Sequence, residues 1–207
     1  FNPDKCSDEL RASWGADANT KVLLSVGRLA SEKNLDTVVR CYQQMRSKNL
    51  PVKLVFVGDG PLRAHLESIC PSAIFAGMRT GQDLARHYAS ADVFVFPSLT
   101  ETFGNVTIEA LASGLAVVAY DHAAAGQLIE HEKNGMLLAQ NQEQQLFDAV
   151  QTLIENPLLR KSIRANGRIT SIDHDWNSVI ARTEGIFRSL IKNNSTLSSS
   201  NFIHQTA

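Results

Sequence analysis

Short runs of aliphatic and β-branched residues alternate along this chain with longer stretches of helical periodicity, and no other feature restricts the fold as much. Residues 22–26, 52–57, 73–76, 93–96, 116–119 and 136–138 read as strands. Residues 34–47, 61–69, 82–89, 104–112, 142–155, 157–166 and 176–191 read as helices. In the first of these, Leu35, Val38, Val39, Tyr42 and Met45 share one face, the pattern of a helix laid against a sheet. The run 93–96 is Val-Phe-Val-Phe, apolar on both sides, as a strand covered on both faces requires. Parallel strands need long crossovers, and helices supply them, so the alternation predicts βαβ units. The expected fold is α/β, a doubly wound parallel sheet of six or so strands. Pro61 and Pro157 stand where proline opens a helix, and Gly167 is expected to close 157–166.

With 207 residues, 43% of them hydrophobic, the chain can bury a core of ordinary domain size. Its net charge of -1 provides no basic field for nucleic acid. Cys6, Cys41 and Cys70 are odd in number and far apart, which argues against a disulfide scaffold or zinc site and for reduced thiols in a cytoplasmic protein. No apolar run approaches the ~20 residues of a membrane span. The start, Phe1-Asn2-Pro3, lacks a signal-peptide pattern and reads as a cut through a longer chain. One domain is expected over 1–191, followed by a mobile tail at 192–207, which is rich in Ser and Asn and has no period.

Open parallel sheets bind ligands beyond the carboxyl ends of their strands, so the loops after residues 26, 57, 76, 96 and 119 are the candidates. The first reads Gly27-Arg28-Leu29-Ala30-Ser31-Glu32-Lys33-Asn34. Gly27 permits a tight exit, and a guanidinium plus an ammonium beside a helix start suits a diphosphate. A solvated loop with an Arg–Glu pair is the plainer alternative. The second loop, Gly58-Asp59-Gly60-Pro61, lets the backbone pass close to another group, or Asp59 simply caps the next helix. The fourth carries Glu101 and, inside the following helix, Glu109, with Gly104 at the helix start. Carboxylates accept hydrogen bonds from sugar hydroxyls, and free helix N–H groups donate to phosphate. Glu109 is equally open to a surface or helix-dipole role. Asp173-His174-Asp175 has the look of a metal-binding D-x-D, but it precedes a predicted helix, and Asp175 reads better as its cap.

In order, these pieces resemble the C-terminal donor-binding domain of the GT-B glycosyltransferases of family 4, or group 1. The resemblance rests on Gly27-Arg28 with Glu32-Lys33, Gly58-Asp59-Gly60-Pro61, the run from Ala91 to Ser98, Glu101 and Glu109 around Phe103-Gly104, Glu109-Ala110-Leu111-Ala112-Ser113-Gly114, and Asn134-Gly135. It covers about residues 20–190 and implies a Rossmann-like domain whose N-terminal acceptor-binding partner domain lies outside this chain. The implied reaction is retaining transfer of a hexose from a nucleoside-diphosphate sugar to a lipid or glycan acceptor. Arg28 and Lys33 match the pair on the donor phosphates. Glu101 matches the glutamate near the anomeric centre, and Glu109 the one on the ribose hydroxyls. Thr102 and the backbone from Phe103 through Gly104 and Asn105 to Val106 match the segment reaching sugar and phosphates. Gly27, Gly58 and Asp59 line the donor cleft, and Gly77, Met78 and Arg79 match the base region.

Glu101, Arg28 and Lys33 are thus the expected catalytic groups, with no metal and no cofactor beyond the nucleotide-sugar substrate. Any catalytic histidine is expected from the N-terminal domain. The loop Asp121-His122-Ala123-Ala124-Ala125-Gly126-Gln127 departs from the family's glycines and glutamate, and no role is assigned to His122. The wording from Ser98 to Val106 is similar to that of GDP-mannose-dependent α-mannosyltransferases and sulfoquinovosyl-diacylglycerol synthases, which favours mannose or glucose. The implied location is cytoplasmic, with association at the inner face of the membrane. A GT-B-like epimerase or phosphorylase and a non-catalytic nucleotide-binding module are the alternatives.

Overall fold

The computed structural model describes residues 1–172, 174, 178, 180–181 and 183–191. The chain divides into two compact units, Phe1–Ser171 and a second that begins at Ile172. The first contains α1 (Asp8–Ser13), β1 (Lys21–Val26), α2 (Leu35–Ser47), β2 (Val52–Val57), α3 (Arg63–Ile69), β3 (Ile74–Gly77), α4 (Gly81–Ala89) and β4 (Val93–Phe96). It continues with α5 (Asn105–Ala112), β5 (Ala116–Tyr120), α6 (Ala123–Leu128), β6 (Met136–Leu138), α7 (Glu143–Glu155) and α8 (Pro157–Ile172). In the second unit, residues 178, 180–181 and 183–191 are helical. The tail 192–207, Trp176, Asp173 and Asp175 lie outside the described residues.

All strand pairs are parallel, in the order β3-β2-β1-β4-β5-β6. The α/β fold is therefore the doubly wound one. From β1 the chain winds outward to β2 and β3; from β4 it winds the other way to β5 and β6. The crevice at the carboxyl ends of β1 and β4 is the point where the winding reverses, and ligands of such sheets sit there. Alternation along β1 divides the core. Leu23 joins Val38, Tyr42 and Met45 of α2 and Leu146, Val150 and Leu153 of α7 on one face. Val22 and Leu24 join Tyr88 of α4, Ala110 and Leu111 of α5 and Leu128 of α6 on the other. Burial along their whole length accounts for the unbroken apolar wording of β4 and β5.

At the opposite edge of the crevice strands, an ion-pair network ties the amino ends together. Asp92 Oδ2 accepts from Arg11 at 3.0 Å and from the Val22 N–H at 2.9 Å. Arg11 also donates to the carbonyls of Ser90 and Thr20, each at 2.8 Å. Arg164 of α8 approaches the other Asp92 oxygen at 3.7 Å.

Four differences from the sequence reading have physical reasons. Helix α3 opens at Arg63, not Pro61, because the Leu62 N–H is bonded to the Leu29 carbonyl at 2.9 Å and the preceding turn is held against the β1 exit. Helix α5 opens at Asn105, since Gly104 lies in the left-handed region at φ 90°. Helix α8 runs through Gly167 to Ile172. Gly167 is a packing residue: a Cβ there would stand 2.8 Å from Leu111 Cδ2 and 3.0 Å from the Asn134 carbonyl oxygen. Helices α1 and α6 were not foreseen. The first is capped by the Ser7 hydroxyl, which accepts from the Leu10 N–H at 3.2 Å. The second reads Ala-Ala-Ala-Gly-Gln-Leu and carries no periodic signal.

Candidate functional site

Two glycines set the floor of the crevice. A Cβ on Gly58 would stand 1.9 Å from the Gly27 carbonyl oxygen, and one on Gly60 would stand 2.5 Å from that of Leu29. The β1 and β2 exit loops therefore touch backbone to backbone, and only glycine fits. The Gly27 N–H donates to Val57 and the Gly58 N–H to Gly77, each at 2.9 Å, so three consecutive strand exits are laced side by side. Asp59 does not cap α3. Its Oδ1 accepts from the Gly60 N–H at 2.7 Å, and Arg63 approaches Oδ2 at 3.5 Å.

The turn Ser31–Lys33 and left-handed Asn34 (φ 52°) deliver Lys33 to the crevice. There its ammonium forms an ion pair with Glu101 and lies 5.7 Å from the centroid of the Phe96 ring. The pair is largely withdrawn from water, with side-chain exposures of 17% and 13%. The Ser98 hydroxyl holds the same Glu101 oxygen at 2.8 Å, and the Leu99 N–H donates to the Glu32 carbonyl at 3.0 Å. The loops after β1 and β4 are thereby locked across the winding reversal. Arg28, on the same loop as Lys33, is exposed; its carbonyl accepts from the Ala30 N–H at 3.0 Å, and its side chain forms no hydrogen bond or ion pair among the described residues. The Arg–Glu pairing considered for this loop does not form.

Thr102, Phe103 and Asn105 are exposed on the β4–α5 loop, and left-handed Gly104 leaves the N–H groups of Asn105 and Val106 without helical acceptors. Glu109 is half-buried and accepts from the Tyr88 hydroxyl of α4 at 2.9 Å. At the β3 exit, Gly77 is left-handed (φ 72°) and Met78 is 74% exposed. Arg79 turns back on its own loop, donating to the Ala76 carbonyl at 2.9 Å and to Asp83 at 3.1 Å. Lys33 and Glu101 thus meet directly, Arg28 lies on the same loop as Lys33, and Glu109 and Arg79 have partners of their own. His122, to which the sequence reading gave no role, accepts a hydrogen bond from the Glu101 N–H. Its place on a loop at a strand's carboxyl end was the one available signal. Among the described residues no group of three or more His, Cys, Asp or Glu is placed to hold a metal, and no helix is long and apolar enough to cross a membrane.

Burial raises the Glu109 carboxyl above its ordinary value, an effect the Tyr88 hydroxyl partly offsets. A raised folded-state value means that the group's contribution to stability is full below its ordinary value of 4.5 and is lost as pH rises through the folded value. Glu109→Gln does not titrate. Its stability relative to the parent should therefore rise as pH is raised from below 4.5 through the folded-state value. Urea denaturation across that range reads the difference, and a flat line would contradict the assignment.

The family model for "Glycosyl transferases group 1" matches residues 7–170. The chain belongs to the group 1 glycosyl transferases. It is 42% identical over 155 residues to the GDP-mannose-dependent alpha-mannosyltransferase of Mycobacterium tuberculosis (strain CDC 1551 / Oshkosh), an alignment covering 74% of this chain and 39% of that protein. It is 30% identical over 188 residues to the sulfoquinovosyl transferase SQD2 of Arabidopsis thaliana, covering 88% of this chain and 36% of that protein. Sucrose-phosphate synthase from Thermosynechococcus elongatus shares the fold with a TM-score of 0.77 at 24% identity, over 93% of this chain and 51% of that one. The chain thus spans well under half the length of these two curated relatives.

Proposed function

We propose that this chain is the donor-binding half of a retaining hexosyltransferase, using a nucleoside-diphosphate sugar with GDP-mannose as the preferred donor and a lipid or glycan acceptor. The acceptor is taken by an N-terminal domain outside this chain. The observation that carries this reading is the withdrawn Lys33–Glu101 pair at the winding reversal, beside unpartnered Arg28 and an open helix start. A cation free of partners has no structural use there, but it suits a ligand's anion.

In this reading the diphosphate lies between Arg28, Lys33 and the N–H groups of Asn105 and Val106. Breaking the sugar–phosphate bond moves negative charge onto the leaving diphosphate, and these fixed donors stabilise it as it forms. Glu101, already bound to Lys33 and Ser98, is held to accept from a sugar hydroxyl and is not poised as a nucleophile. The acceptor hydroxyl attacks from the face the diphosphate leaves, and the departing phosphate takes its proton, which preserves the anomeric configuration. Glu109 takes the ribose hydroxyls, and Gly77, Met78 and Arg79 border the base. The likeness to a GDP-mannose-dependent relative at 42% identity supports the choice of donor.

A thermal-shift comparison of GDP-mannose, UDP-glucose and ADP-glucose tests this. At a hundredfold excess over Kd a ligand adds about 2.7 kcal/mol, which is on the order of 5–10 °C for a domain of this size. GDP-mannose should give the largest shift. No shift with any of the three would overturn the reading.

A further inference from the structure

We propose that His122 and the short loop behind it form the clamp that positions Glu101, making His122 a positioning residue for the sugar end of the site. The inference rests on the donor-site reading above, but the contacts that carry it belong to a different loop. After β5 the chain reaches back over the β4 exit and holds it at two points. His122 Nε2 accepts from the Glu101 N–H at 3.3 Å, and the Ala124 N–H donates to the Phe103 carbonyl at 2.7 Å. Between them Ala123 lies in the left-handed region at φ 48°, a conformation alanine adopts only when its surroundings impose it. Gly104 sits against the same loop: a Cβ on it would stand 3.9 Å from Ala124 Cβ and 3.6 Å from Glu101 Cγ.

Ser98 and Lys33 hold the Glu101 carboxylate, and the Ser98 hydroxyl also reaches the Thr100 carbonyl at 3.2 Å, but neither takes the Glu101 N–H. His122 does. An imidazole nitrogen that accepts carries no hydrogen of its own, so Nε2 is the acceptor side of the ring in this bond. Glu101 is thereby held at its backbone by β5 and at its carboxylate by the loops of β1 and β4. The ring's bond is to the Glu101 peptide, so it acts on the sugar through Glu101.

The test compares His122→Phe, which keeps a ring and loses the acceptor, with His122→Gln, whose Oε1 restores an acceptor at similar reach. Calorimetry with GDP and with GDP-mannose reads the two ends of the donor separately. Loss of one backbone-positioning bond should weaken GDP-mannose binding by about 5- to 10-fold in His122→Phe, leave GDP within about 2-fold, and be largely rescued in His122→Gln. Equal weakening of both ligands, or no change in either, would overturn the clamp while leaving the donor reading intact. A parent chain that binds neither GDP nor GDP-mannose would overturn the donor reading itself, and the inference with it. A circular-dichroism melt matching the parent identifies a folded variant. Should His122→Phe fail to fold, the His122→Leu variant with the same pair of titrations decides the matter on the same criteria.

Discussion

Asp92→Ala is expected to cost about 3–5 kcal/mol of folding stability, the range for removing one partner from a buried ion pair. The carboxylate is withdrawn from water and serves Arg11, the Val22 N–H and, at longer range, Arg164. Without it, the Arg11 guanidinium keeps its bonds to the Ser90 and Thr20 carbonyls but loses its counter-charge, and a buried strand N–H loses its acceptor. Both penalties fall on the amino ends of β1 and β4, the two strands that carry the site at their other ends. Domains of this kind are typically stable by only about 5–15 kcal/mol, so the loss is a large share of the whole. Urea denaturation measures it, and a change below about 1 kcal/mol would show that the network is dispensable.

The second large effect falls on binding and leaves the fold alone. Arg28→Ala should weaken GDP binding by about 1.5–3 kcal/mol, roughly 10- to 150-fold, as loss of a charged hydrogen bond. Its effect on folding should stay within about 0.5 kcal/mol, because Arg28 is exposed and unpartnered in the first unit. Lys33→Ala is different. On the proposed donor reading it removes a phosphate ligand, and it also strands the Glu101 carboxylate, so it should lower both affinity and stability. Calorimetry and urea denaturation on both variants separate the cases. Unchanged GDP affinity in Arg28→Ala would remove that residue from the phosphate site.

The strands were legible from their apolar runs, most plainly where both faces are buried, as in β4 and β5; 52–57, 93–96 and 136–138 fall where those runs fall. The winding reversal between β1 and β4 was not in any local pattern, yet the rule for parallel sheets pointed to both of the loops that meet there. What escaped were contacts between residues distant in sequence. The Arg11–Asp92 pair spans 81 positions, and His122 meets Glu101 only because β4 and β5 are neighbours in the sheet. Gly167 was misread for the same reason: a glycine against Leu111 and Asn134 looks, in sequence, like a glycine that ends a helix. Helix α6 lacks apolar periodicity, and the contact of the Ala124 N–H with Phe103 lies across the crevice wall, not along the chain. The wording that carries the family resemblance held the glycines of the floor, because backbone contact at Gly58 and Gly60 leaves no room for another residue.

The most direct test of the central claim is a crystal structure of this chain with GDP bound. The account predicts the two phosphates at the carboxyl ends of β1 and β4, with oxygens within about 3.2 Å of the Arg28 guanidinium, the Lys33 ammonium and a first-turn N–H of α5. A diphosphate found away from Arg28 and Lys33, on any other face of the sheet, would contradict it.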